Sequence, residues 1–96
     1  MKQDNYIAIA DFCNSHNVTS QFVMQLYDLG LVEVVHRQDL HYLPLQQLPK
    51  AEKIVRLYLD LDINLEGIEV ITHLLDRMQD MQHEMISLRN KLRRYE

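Results

Sequence analysis

The chain is short of cysteine, glycine and proline, and each shortage narrows the class of protein it can be. Cys13 is its one cysteine, so no internal disulfide framework and no multi-cysteine zinc site forms, and a reducing compartment suits it. Two glycines and two prolines leave little sequence for long loops or linkers and point to a mostly helical chain. Basic residues are also few: ten Lys and Arg face fourteen Asp and Glu, a net charge of -4, without the general excess of a nucleic-acid binder. The opening segment MKQDNYIAIADFC carries Asp4 and Asp11 around an apolar run too brief for a signal or membrane segment, so the expected location is the cytoplasm. With 96 residues, 47% of them hydrophobic, the chain has enough apolar surface for one modest core and too little for two.

What is present reads as a series of short elements and one long one. The run YIAIADFC predicts a strand or arm entering a first short helix, with Ile9 and Phe12 facing the core. After the polar group Asn14 to Asn17, Thr19 or Ser20 caps a second helix whose apolar positions Phe22, Val23, Leu26 and Leu29 recur at helical spacing, and Gly30 stops it. Two short helices across a tight polar turn outline a helix-turn-helix. Leu31 to Val35 and Leu40 to Leu45, separated by His36, Arg37, Gln38 and Asp39, predict a small hairpin or wing closed by Pro44 and Pro49. A third helix starts at Pro49 and buries Ile54, Val55, Leu57, Tyr58 and Leu61 on more than one side; Asn64 then caps the last helix.

That last helix, from about Leu65 to Tyr95, holds the clearest periodicity. Ile71, Leu74, Met78, Met81, Met85, Leu88, Leu92 and Tyr95 alternate spacings of three and four, a heptad seam. A helix of ~30 residues spans ~45 Å, beyond the radius of so small a domain, so its far half calls for a partner. In a parallel pairing Glu84 meets Arg89 and Lys91 meets Glu96, which favours a homodimer; the register leaves an antiparallel pairing open. The expected organisation is a winged unit over residues 1–64 and a dimerisation helix over residues 65–96, in one compact body.

These residues carry a resemblance. LYDLGLVE, Leu26 to Glu33, and LDINLEGIEVI, Leu61 to Ile71, are similar to the turn before the wing and the turn between the third and fourth helices of the MerR family. Over nearly its whole length the chain resembles more closely the small CbpM-type chaperone modulators, through IADFC, LGLVE, the segment VRLYLDLDINLEGIEVITHLLDRM from Val55 to Met78, and the tail LRNKLRR. The resemblance implies a mainly all-α winged helix-turn-helix with a long C-terminal coiled-coil helix. It implies a non-enzymatic regulator that binds the J domain of a DnaJ-like co-chaperone, the CbpA type, and suppresses its stimulation of Hsp70.

The alternative is a MerR-like DNA-binding transcriptional regulator. DNA affinity comes largely from Lys and Arg on phosphates, and major-groove readout needs polar or basic side chains on the recognition helix. Before Arg37 the chain has one base, Lys2, against Asp4, Asp11, Asp28 and Glu33. The resemblance adds that DNA-binding members carry arginines where this chain has Met24 and His41. Gln21 and Gln25 alone do not position a duplex. The basic run Arg89, Lys91, Arg93 and Arg94 suits a helix C-terminus. An acidic winged face fits a basic protein partner, and the expected contact residues are Asp11, Asn14, Gln21, Met24, Gln25 and Asp28, with Met24 as an apolar anchor.

Chemical sites are not expected. Cys13 with His16 and His36 with His41 mimic a zinc-ligand spacing, but Cys13 falls at a small core position and the histidines at surface ones, as do His73 and His83. Asp60 and Asp62 diverge on a helix end, and Asp76 and Asp80 share an exposed face. No glycine-rich phosphate loop and no nucleophile beside a base appear, so neither a cofactor, a metal nor an enzyme activity is expected. Met78, Met81 and Met85 read as dimer-core filler.

Overall fold

The computed structural model describes residues 5–95. In chain order it contains β1 (Tyr6–Ala8), α1 (Ile9–His16), α2 (Ser20–Asp28), β2 (Val35–Arg37), β3 (Leu40–Pro44), a 3-10 turn (Leu45–Gln47), α3 (Leu48–Leu59) and α4 (Leu65–Arg94). This is the expected mainly helical winged helix-turn-helix with a long last helix.

Local chemistry fixes most of the boundaries. α1 ends at Asn17, whose left-handed φ of 63° lets the Val18 amide reach back to the Cys13 carbonyl at 3.2 Å. Thr19 Oγ1 accepts the Phe22 amide at 3.1 Å and starts α2. At the other end Gly30, at φ 76°, lets the Leu31 amide close on the Leu26 carbonyl at 2.9 Å, which turns the chain back toward the core. Pro49 sits in the first turn of α3, where its missing N–H leaves no gap in the helix bonding.

The wing departs from the sequence expectation in register. Leu31 and Val32 are buried core residues in the bend before the sheet, and the first wing strand is Val35–Arg37 instead of Leu31 to Val35. Gln38 and Asp39, both at positive φ (50° and 64°), make a two-residue turn, so His36 and Arg37 belong to the strand and not to the connection. The sheet is antiparallel with order β1-β3-β2: the opening strand returns as the third member, pairing Ile7 with Leu43.

The core gathers Phe12 from α1, Val23 and Leu26 from α2, Leu31, Leu43 from β3, Ile54 from α3 and Ile68 from α4, all fully buried. Each such side chain contributes about 1.5–3 kcal/mol by leaving water. Ile9 and Phe12 face inward as expected. Leu29 is 36% exposed, Tyr58 38% and Leu61 64%, so these three are not core. Leu29 caps α2 at its rim, Tyr58 lays its ring on Phe22 with centroids 4.3 Å apart, and Leu61 lies beyond the end of α3.

α4 is held by its beginning. Asn64 Oδ1 accepts the Gly67 amide at 2.8 Å, and Ile68 and Thr72 are the buried residues of this helix. From His73 to Tyr95 every residue is exposed, and the molecule measures 57 × 37 × 20 Å.

Candidate functional site

The helix-turn-helix presents an acidic and amide-rich surface. Gln21, Met24, Gln25 and Asp28 recur at spacings of three and four and so share one face of α2. Asp11 and Asn14 are exposed on α1. Five of these six expected contact residues are open to solvent. Met24 is the exception: it is half-buried, with part of its side chain packed against the core and part at the surface. Neither α1 nor α2 carries a lysine or arginine.

The structure extends this surface in a way the sequence did not indicate. Where the end of α2 meets the start of α4, Gln25, Asp28, Leu29, Leu65, Glu66 and Glu69 line a shallow cleft of about 230 Å³. Its walls carry three carboxylates and no base, and its apolar surface is Leu29 and Leu65. Glu66 and Glu69 lie about forty positions from Asp28, so only the fold brings them together. In the sequence they read as ordinary acids near a helix start, where the dipole favours them. A second cleft, of about 260 Å³ between α3 and α4, has the opposite character, with Lys50 and Lys53 beside Leu57, Leu75 and Asp76.

Cys13, His16, His36 and His41 do not come together as one four-residue set among the described residues. Among the described residues no three His, Cys, Asp or Glu side chains stand close enough to hold a metal ion together. Cys13 is 6% exposed, and burial pushes its thiol above the ordinary 9.0 against a smaller downward pull from a hydrogen bond with Ser20. His16 stacks on Phe12 at 4.3 Å between centroids, donates from Nδ1 to the Phe12 carbonyl at 3.0 Å, and places Nε2 3.4 Å from Glu52. In the wing His36 and His41 face each other, while Arg37 stands over the Tyr6 ring at 5.1 Å.

Along α4 the heptad positions form an open apolar stripe. Ile71 is half-covered by its own domain, whereas Leu74, Met78, Met81, Met85, Leu88 and Leu92 are 51–66% exposed. Val70 and Ile86 are exposed apolar residues outside that register. Of the charge pairs expected across a parallel seam, Glu84 and Arg89 are described and exposed, while Glu96 lies outside the described residues, as do Lys2 and Asp4. Among the described residues no helix is long and apolar enough to cross a membrane.

Residues 7–90 match the family described as MerR HTH family regulatory protein. Proteins named chaperone modulatory protein CbpM from Pseudomonas putida are similar over most of their length, at 26% identity over 84 residues in strain W619 and 29% over 84 residues in strains KT2440 and F1. Each alignment covers 86% of this chain and 83% of the relative. No solved structure matches the chain.

Proposed function

Because the chain belongs to the MerR HTH family of regulatory proteins, we propose that it uses the winged helix-turn-helix as a protein-binding surface and acts as a non-enzymatic, cytoplasmic chaperone modulator. It binds the J domain of a DnaJ-like co-chaperone of the CbpA type and inhibits that protein's stimulation of Hsp70. The observation that carries the reading is the charge of the recognition surface. α1 and α2 hold no lysine or arginine, and the cleft at the end of α2 adds Glu66 and Glu69 to Asp28. Such a surface repels phosphates and attracts a basic protein face. The similarity to proteins named as chaperone modulators supports the same direction.

The mechanism is occlusion. The contact face comprises Asp11, Asn14, Gln21, Gln25 and Asp28 with the added cleft residues, and it covers the J-domain surface that otherwise engages Hsp70. Met24, half-buried amid Gln21, Gln25 and Asp28, is the apolar anchor of that face. Two copies pair through Ile71, Leu74, Met78, Met81, Met85, Leu88 and Leu92, which supplies the cover that the exposed stripe lacks in a single chain.

Calorimetric titration of the purified protein into the isolated J domain of its host's CbpA-like co-chaperone, with a duplex DNA titration beside it, tests the reading. Saturable J-domain binding without DNA binding is expected. DNA binding alone would restore the transcriptional regulator.

A further inference from the structure

The two wing histidines stand in a geometry that a plain surface role does not require. His36 on β2 is paired directly with His41 on β3. In a two-residue hairpin the positions flanking the turn, here Arg37 and Leu40, form the hydrogen-bonded pair, so the next pair inward is the closer, non-hydrogen-bonded kind. Side chains there approach most nearly. The two Nδ1 atoms are 3.1 Å apart, with ring centroids at 4.6 Å and planes inclined by 52°.

Strand alternation sorts the surrounding charge. Val35 and Arg37 point to the face of the sheet opposite His36, and Leu40 and Tyr42 to the face opposite His41. Arg37 is held on that far face over Tyr6. The histidines share their face with Ile7 and Leu43, at the outer edge of the core. The strong cation of the wing is therefore turned away from the imidazole pair.

Two imidazole nitrogens bound to one metal at about 2.0–2.1 Å lie about 2.9 Å apart at a right angle and about 3.4 Å apart at the tetrahedral angle. The observed separation falls between those limits. As a hydrogen bond the contact needs one Nδ1 to carry a proton; with both rings protonated at Nε2, the two Nδ1 lone pairs converge and can ligate one cation. We propose that the wing is a two-histidine site for a borderline divalent cation of the zinc, nickel and copper class, held by His36 Nδ1 and His41 Nδ1. Imidazole favours that class over magnesium or calcium. The remaining coordination positions fall to water or to a side chain of a second molecule, since no third ligand of this chain stands with the pair among the described residues.

The test is titration of the full chain with zinc chloride alone, followed by calorimetry and by nitrogen-15 resonances of the imidazole rings. One zinc ion per chain is expected to move the Nδ1 resonances of His36 and His41 together. His36→Gln or His41→Gln should each weaken binding roughly tenfold or more, a loss of about 1.4 kcal/mol. The double variant His73→Gln with His83→Gln should bind as the parent does. Unchanged affinity in either wing variant, or zinc shifts confined to His16, His73 or His83, would overturn the site.

Discussion

Asn64 and Gly67 are locked together at the start of the long helix: the Asn64 side-chain oxygen accepts the Gly67 amide at 2.8 Å. A methyl group on Gly67 would lie 3.2 Å from that same oxygen and 2.8 Å from Ile63 Cγ2. The cap and the glycine are one device, and α4 leaves the domain at the angle they set.

Gly67→Ala is therefore expected to destabilise the protein although alanine is the better helix former by about 1 kcal/mol. Asn64→Ala should cost about 1 kcal/mol through the lost cap, and the double variant should cost less than the sum because both changes break the same contact. Gly30→Ala gives a contrasting case. No atom lies within 4 Å of the added Cβ, so its expected cost of about 1 kcal/mol comes from the left-handed φ of 76° alone. Denaturant midpoints of the four variants check this, with additive losses at Asn64 and Gly67 contradicting the shared device.

Asp28 offers a way to separate binding from folding. It sits in the last turn of α2, where a negative charge opposes the helix dipole. Asp28→Lys should raise stability by about 0.3–1 kcal/mol and at the same time lower J-domain affinity roughly tenfold or more. Glu69→Lys should weaken the same binding, and raising the ionic strength should weaken the parent's binding while leaving the variants less affected. J-domain affinity unaltered by both substitutions would place the contact elsewhere.

Assembly depends on the far half of α4. Met85→Lys with Leu88→Lys puts two charges into the proposed seam at positions 57% and 60% exposed in the single chain, so the fold of one chain is not disturbed. Light scattering should then give monomers where the parent gives dimers. A persistent dimer would refute the seam.

Cys13 should behave as a core residue. Its thiol is held above the ordinary 9.0 by burial, so the folded protein keeps a proton that the unfolded chain releases near that value. The contribution to stability is complete below about pH 9 and falls as pH rises through the higher folded value. A thiol reagent at neutral pH should label the native protein far more slowly than the denatured chain, and Cys13→Ala should flatten the alkaline fall in stability.

The parts of this fold legible in the sequence are those decided within a few residues. Thr19, Gly30, Pro49 and Asn64 announce their caps and turns because the chemistry is local, and the heptad spacing announces α4. The hairpin register was not legible, because Gln38 and Asp39 adopt positive φ without a glycine to mark the turn. The pairing of β1 with β3 was hidden for a different reason, being a contact between distant segments. The same holds for the site. Exposed Asp11, Gln25 and Asp28 could be read from helical spacing, whereas Glu66 and Glu69 join them only through the packing of α4 against α2. The partial burial of Met24 was not legible, because its helical position alone did not show how far the core reaches toward it.

The absence of burial from His73 to Tyr95 makes the tail of α4 a gauge of its own surroundings. A solitary helix is marginal in water, so in a lone chain these backbone amides would exchange their hydrogens with solvent quickly, while those near Ile68 would open only with the whole domain. When a second copy covers the stripe, protection of the tail becomes a function of protein concentration. Hydrogen exchange along this single helix would thus report, residue by residue, where stability that belongs to the chain gives way to stability that belongs to the assembly.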